Sequence, residues 1–150
     1  MKTTILSVLF LFLLGCSEDD ATYSPQPIIP ISISHYSLPG VTQSVAQQNL
    51  VVAEDSVWVT LQQSMSTRLE HFSETEINFD EFIVLAVFDQ IYPNGGHSIY
   101  ITSVVEHETN ITVTVERLLT GDMTAVIMQP YHIVKIPKTS KPVLFEMSFN

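Results

Sequence analysis

Phe82-Ile83-Val84-Leu85-Ala86-Val87-Phe88 is the stretch on which the fold turns. An unbroken apolar run this short, with β-branched Ile83, Val84 and Val87 among its seven residues, predicts a strand buried on both faces. The sequence downstream keeps the same character. Ser98-Ile99-Tyr100-Ile101-Thr102-Ser103-Val104-Val105 places its isoleucines on one face, and Ile111-Thr112-Val113-Thr114-Val115-Glu116 alternates cleanly, so the polar Glu106-His107-Glu108-Thr109-Asn110 between them predicts a hairpin. Leu118-Leu119 leads into Thr120-Gly121-Asp122. Ala125-Val126-Ile127-Met128 and, past Pro130, Tyr131-His132-Ile133-Val134-Lys135-Ile136 read as two further strands, with Val143-Leu144-Phe145-Glu146-Met147 as the last.

Upstream, Ile31-Ser32-Ile33-Ser34 alternates like a half-buried strand until Leu38-Pro39-Gly40 signals a turn, and Asn49-Leu50-Val51-Val52-Ala53 predicts a short apolar strand. Glu54-Asp55-Ser56 supplies capping oxygens and negative charge for a helix start. Trp58, Leu61, Met65 and Leu69 then recur at helical spacing and give that helix one apolar stripe. The expectation is a single α+β domain over residues 31–150, an antiparallel sheet or sandwich with one substantial helix packed on it.

Before the domain the composition changes twice. Lys2 and the apolar run Ile5 to Leu14 form the n- and h-regions of a signal peptide over residues 1–15, too short to span a bilayer as a helix. Leu13-Leu14-Gly15-Cys16 resembles the lipobox of bacterial lipoproteins, in which the cysteine becomes the acylated first residue, so Cys16 is the expected lipid attachment point and the membrane the expected anchor. An ordinary signal peptide with a chance cysteine is the alternative. Residues 16–30 read as a tether, acidic at Glu18-Asp19-Asp20 and then proline-rich at Pro25, Pro27 and Pro30, with a bias toward extended polyproline geometry. The acidic cluster resembles the surface-export signal of Bacteroidetes lipoproteins, and a plain solvated spacer is the other reading. The implied location is the cell envelope, as an outer-membrane lipoprotein exposed at the surface if that signal operates.

A chain starting at Cys16 loses Lys2 and carries a net charge of −11, against −10 for the full sequence. That excludes nucleic acid and anionic lipid surfaces as expected partners, because both demand a basic patch. Cys16 is the sole cysteine, so acylation leaves the domain neither a disulfide nor a thiol nucleophile. The mean hydropathy of +0.25 includes the signal peptide and does not argue a membrane domain.

No catalytic pattern emerges. Histidines at 35, 71, 97, 107 and 132 show no metal-ligand spacing, no Gly-x-Ser-x-Gly elbow surrounds a serine, and Ser98 beside His97 makes no triad by adjacency. The acid pairs Glu74/Glu76, Asp80/Glu81 and Glu106/Glu108 fall in polar segments and read as solvated faces. Neither a cofactor nor a metal is expected, and the chain reads as a non-enzyme.

Loop chemistry stands out instead. Tyr92-Pro93-Asn94-Gly95-Gly96-His97-Ser98 can supply positive φ and a tight reversal. Asn78-Phe79-Asp80 before the buried strand, Gly95-Gly96-His97-Ser98-Ile99 at the next strand, Pro130-Tyr131-His132-Ile133-Val134-Lys135-Ile136 and the following Pro137-Lys138 resemble the C-terminal domain of the PrcB-like proteins, over roughly residues 78–138. That family usually has Tyr where this chain has His97. The resemblance implies a non-catalytic lipoprotein subunit of a surface protease complex, binding and stabilising a secreted subtilisin-like protease. The expected protein-binding surface comprises Tyr92, Asn94, Gly95, Gly96, His97, Pro130, Tyr131 and His132. Two other readings share these loops. Segments 92–96, 120–122 and 129–131 are loosely similar to the wedge loops of chagasin-like protease inhibitors, without their Thr-Thr-Gly and Arg-Pro-Trp elements, and a surface module binding glycan or protein predicts Tyr92, Tyr100 and Tyr131 exposed together.

Overall fold

A computed structural model of the chain describes residues 23–40 and 45–148. The expected signal peptide, Cys16 and the acidic half of the tether lie outside the described residues. Among the described residues no helix is long and apolar enough to cross a membrane.

The fold is an α+β sandwich with a helix on one outer face. In chain order the strands are β1 (Gln26–Pro27), β2 (Ile31–Pro39), β3 (Gln48–Val52), β4 (Phe82–Phe88), β5 (His97–Glu106), β6 (Ile111–Leu119), β7 (Met128–Pro137) and β8 (Val143–Ser148). One sheet has the order β1-β5-β6-β8, the other β2-β7-β4-β3. All pairings are antiparallel except β6 with β8, which is parallel, so the first sheet is mixed rather than purely antiparallel.

β4 is the strand buried on both faces, and its alternation separates two cores. Ile83, Leu85 and Val87 face β5 and β6, meeting Ile99, Ile101, Val113 and Val115 between the sheets. Val84, Ala86 and Phe88 point the other way, toward Trp58, Leu61 and Met65. Those three come from α1 (Asp55–Ser64) and its C-cap, where the indole N–H of Trp58 also donates to the Thr75 carbonyl at 2.8 Å. The helix is shorter than its apolar stripe. The Ser64 hydroxyl turns back onto the Leu61 carbonyl at 2.6 Å, competing with the helical ladder, and the chain continues as a 3₁₀ helix, Ser66–His71. The N-cap of α1 is Glu54, which makes no side-chain capping bond. Asp55 places its charge in the first turn instead.

Three segments differ from expectation. β2 runs through Leu38-Pro39, a proline its position at the edge of the sheet tolerates. Ala125-Val126-Ile127 is not a strand, since β7 begins only at Met128 and continues unbroken through Pro130. The proline-rich half of the tether enters the fold: Gln26 and Pro27 pair with Glu106 and Val105, and the Ile28 amide donates to the Val104 carbonyl at 2.8 Å.

The strand registers define two poles. The hairpin between β5 and β6, the start of β8 and β1 sit at one, where Tyr23 lies 5.0 Å from the Lys141 ammonium. At the other, about 30 Å away along the ten residues of β5, the chain passes through segments 89–96 and 120–127.

Candidate functional site

The loop pole is built by two segments that cross. Tyr92 bridges Met128 through reciprocal backbone bonds of 2.8 and 3.0 Å, carrying the chain from the end of β4 across the start of β7. The Asp122 amide donates to the Gly95 carbonyl at 2.9 Å, the Thr120 hydroxyl to the Gly96 carbonyl at 2.9 Å, and Asn94 Nδ2 to the Asp122 carbonyl at 3.3 Å. Gly96 has φ +79°, and a Cβ there would lie 2.7–2.9 Å from the backbone of Gly121 and Asp122, so both conformation and contact require glycine. Asp122 in turn takes bonds from the hydroxyl and amide of Thr124, which hold its carboxyl below the usual range.

Under this crossing lies a polar plug. Asp89, fully buried just past β4, sits 2.9 Å from Arg117 Nε on β6, accepts the Gln90 amide at 2.8 Å and accepts the Tyr92 hydroxyl at 3.0 Å. Burial and then the bond to Asp89 push the Tyr92 hydroxyl up to about 12, so it stays a donor. His97 stacks flat on Tyr92, centroids 3.9 Å apart and planes 13° apart, with Nε2 3.1 Å from Asn94 Oδ1.

Pro130 explains why a central strand accepts proline. Its carbonyl receives the Asp89 amide at 3.0 Å, so the reciprocal ladder bond, from the missing Pro130 N–H to the Asp89 carbonyl, cannot form. Gln129 Nε2 supplies that carbonyl with a donor at 2.7 Å and reaches the Val45 carbonyl at 2.6 Å, while its Oε1 accepts the Val45 amide at 3.0 Å. The substitute is a side chain from the neighbouring residue.

The sequence-derived surface therefore divides in two. Asn94, Gly95, Gly96 and His97 come together at the pole, with Gly96 exposed and Gly95 enclosed by Asp122 and Thr124. Tyr92, Pro130, Tyr131 and His132 are buried. Tyr131 stacks with Phe88 in the helix-side core and bonds Ser34 at 3.1 Å, which removes it from any contact surface. Segment 129–131 is strand rather than loop. In its place Gly40 packs on Ile91 and Ile127, its amide bonding the Ile127 carbonyl at 3.1 Å.

Sequence reasoning missed the apolar exposure of this pole. Ile91, Leu118, Leu119, Met123, Val126 and Ile127 are all exposed there, Met123 completely. The signal was Ala125-Val126-Ile127, whose hydrophobicity read as strand. A cleft of about 500 Å³ runs from these residues between β2 and the start of β5, lined by His35, Ser37, Pro39, His97, Ser98 and Ile127 among others. Among the described residues no group of three His, Cys, Asp or Glu is arranged to hold a metal ion. No family model, curated protein or solved structure matches the chain.

Proposed function

We propose that this chain is a non-catalytic, lipid-anchored envelope protein that binds a secreted subtilisin-like protease through its loop pole and stabilises it, as its resemblance to the PrcB-like proteins implies. The observation that carries the reading is the apolar surface at one pole. Exposed apolar side chains gathered on loops held by a buried ion pair and a positive-φ glycine are what a preorganised protein-binding surface needs, since little ordering entropy is lost on docking. Orientation agrees with it. A chain acylated at Cys16 would enter the domain at Tyr23, by the hairpin pole, with the apolar pole at the opposite end of the sandwich from the tether. His97 fits as well, because stacking on Tyr92 lets an imidazole fill the aromatic position.

The glycan-binding reading loses support from the burial of Tyr92 and Tyr131. The inhibitor reading loses its third loop. Co-purification of the tagged lipoprotein from detergent-solubilised envelope tests the proposal. It calls for a secreted protease in near-equal amount whose active lifetime falls when this chain is deleted. A protease that becomes more active on deletion would establish inhibition instead, and recovery of no protease would leave the reading without its partner.

A further inference from the structure

Between the two poles one side of the sandwich is a seam, where β2, the edge of its sheet, lies beside the part of β5 that β1 leaves uncovered beyond Val104. Two histidines close it. His35 on β2 and His132 on β7 are register partners, with ring centroids 5.1 Å apart and edges meeting at 70°. Both reach across to the backbone of β5. The Ile101 amide donates to His132 Nδ1 at 2.9 Å, immediately before the register shift that interrupts the β5–β6 ladder. His35 hydrogen-bonds the Ile99 backbone in the sense that favours its protonated ring, which makes it the donor to the Ile99 carbonyl.

These bonds fix the proton on His132. Nδ1 accepts, so it carries no hydrogen, and Nε2 bears it, 3.3 Å from the Ser32 hydroxyl. A second proton has only Nδ1 to occupy. There it would turn the acceptor into a donor facing the Ile101 N–H. Among the described residues the surroundings offer no compensation: β2 presents His35, β5 presents Tyr100 with its ring 4.4 Å from His35, β4 places Val87 opposite His132, and no carboxylate acts on either ring.

We infer that His35 and His132 form a proton-sensitive clasp that holds the seam of the sandwich shut when neutral and releases the β5 edge when His132 is protonated. Release frees the Ile101 amide as an unpaired donor on the β5 edge, while the bond from His35 to Ile99, which protonation favours, is kept. Burial, and then the neighbouring His35, lower the His132 pKa to about 4, so the clasp stays closed near neutrality and opens only in acid. The inference is independent of the protease reading.

Amide exchange and imidazole titration, read by NMR on the full chain in detergent between about pH 7 and about pH 3.5, test it. His132 should appear as the Nε2–H tautomer at neutral pH. Protection of the Ile101 amide should fall on the order of tenfold in acid while that of Val113, in the centre of β6, holds. His132→Asn, whose side-chain oxygen can accept the same bond without titrating, should keep Ile101 protected at both pH values. An Nδ1–H tautomer at neutral pH overturns the clasp, as does loss of Ile101 and Val113 protection together. Retention of the acid response in folded His132→Asn would overturn it equally.

Discussion

The two poles of the sandwich solve the problem of ending a β-core in opposite ways. At the hairpin pole the ionic groups are outside: Lys141 pairs with Glu106 at 2.7 Å and bonds the His107 carbonyl at 2.7 Å, with apolar Ile111 and Val113 beneath and Leu144 half-exposed beside them. At the loop pole the polarity is inverted, with Asp89 and Gln129 buried and Leu119, Met123 and Val126 in water. Stability alone does not favour that inversion, because burying a charge carries a desolvation cost and exposing apolar area forgoes a gain. The hairpin pole shows that this chain can close a core the ordinary way. The difference is therefore best read as a requirement imposed on the loop pole from outside the domain.

Substitutions can break or sharpen the contrast. Asp89→Ala strikes the inverted pole hardest, leaving Arg117 without its buried partner and Tyr92 without its acceptor. A loss of about 3–5 kcal/mol is expected in chemical denaturation. Gly96→Val comes next, combining a disfavoured positive φ with backbone contacts below 3.0 Å, for about 2–4 kcal/mol by the same measurement. Were Gly96→Val neutral, the crossing of the two loops would not be rigid. Between the poles, His132 makes stability depend on pH. Its folded pKa is depressed to about 4 from an unfolded value of about 6.5, so its contribution is complete above about pH 6.5. It is lost as pH falls toward 4, up to about 3 kcal/mol and less where water screens the ring, and His132→Asn should flatten that part of the pH–stability curve. At the hairpin pole Lys141→Ala removes a half-buried pair and its bond to the His107 carbonyl, and only a small fall in the denaturation midpoint is expected. Met123→Asp with Val126→Asp should leave stability within about 0.5 kcal/mol while abolishing partner binding.

What the sequence disclosed was whatever local periodicity controls. The two-faced strand at Phe82–Phe88, the alternation of Ile111–Glu116 and the hairpin between β5 and β6 follow from side-chain spacing, and together they imply the layered fold. Features decided by distant residues were not legible. Pro130 reads as a break because nothing local announces that Gln129 will stand in for its missing N–H. Val126 and Ile127 read as strand because hydrophobicity does not say whether an apolar residue is covered. His35 has no motif, and acquires its role only when β2 pairs with β7 opposite His132. The glycines and Asn94 were found because positive φ and tight reversal leave a compositional mark, whereas Asp89 and Arg117, 28 positions apart, leave none.

The most direct test of the inverted pole is site-specific photo-crosslinking in intact envelope, with the crosslinker placed at Met123 in one strain and at exposed Glu108, on the hairpin, in another. A secreted protease captured from position 123 and not from position 108 is the predicted result. Capture of the protease from the hairpin position alone would contradict the account.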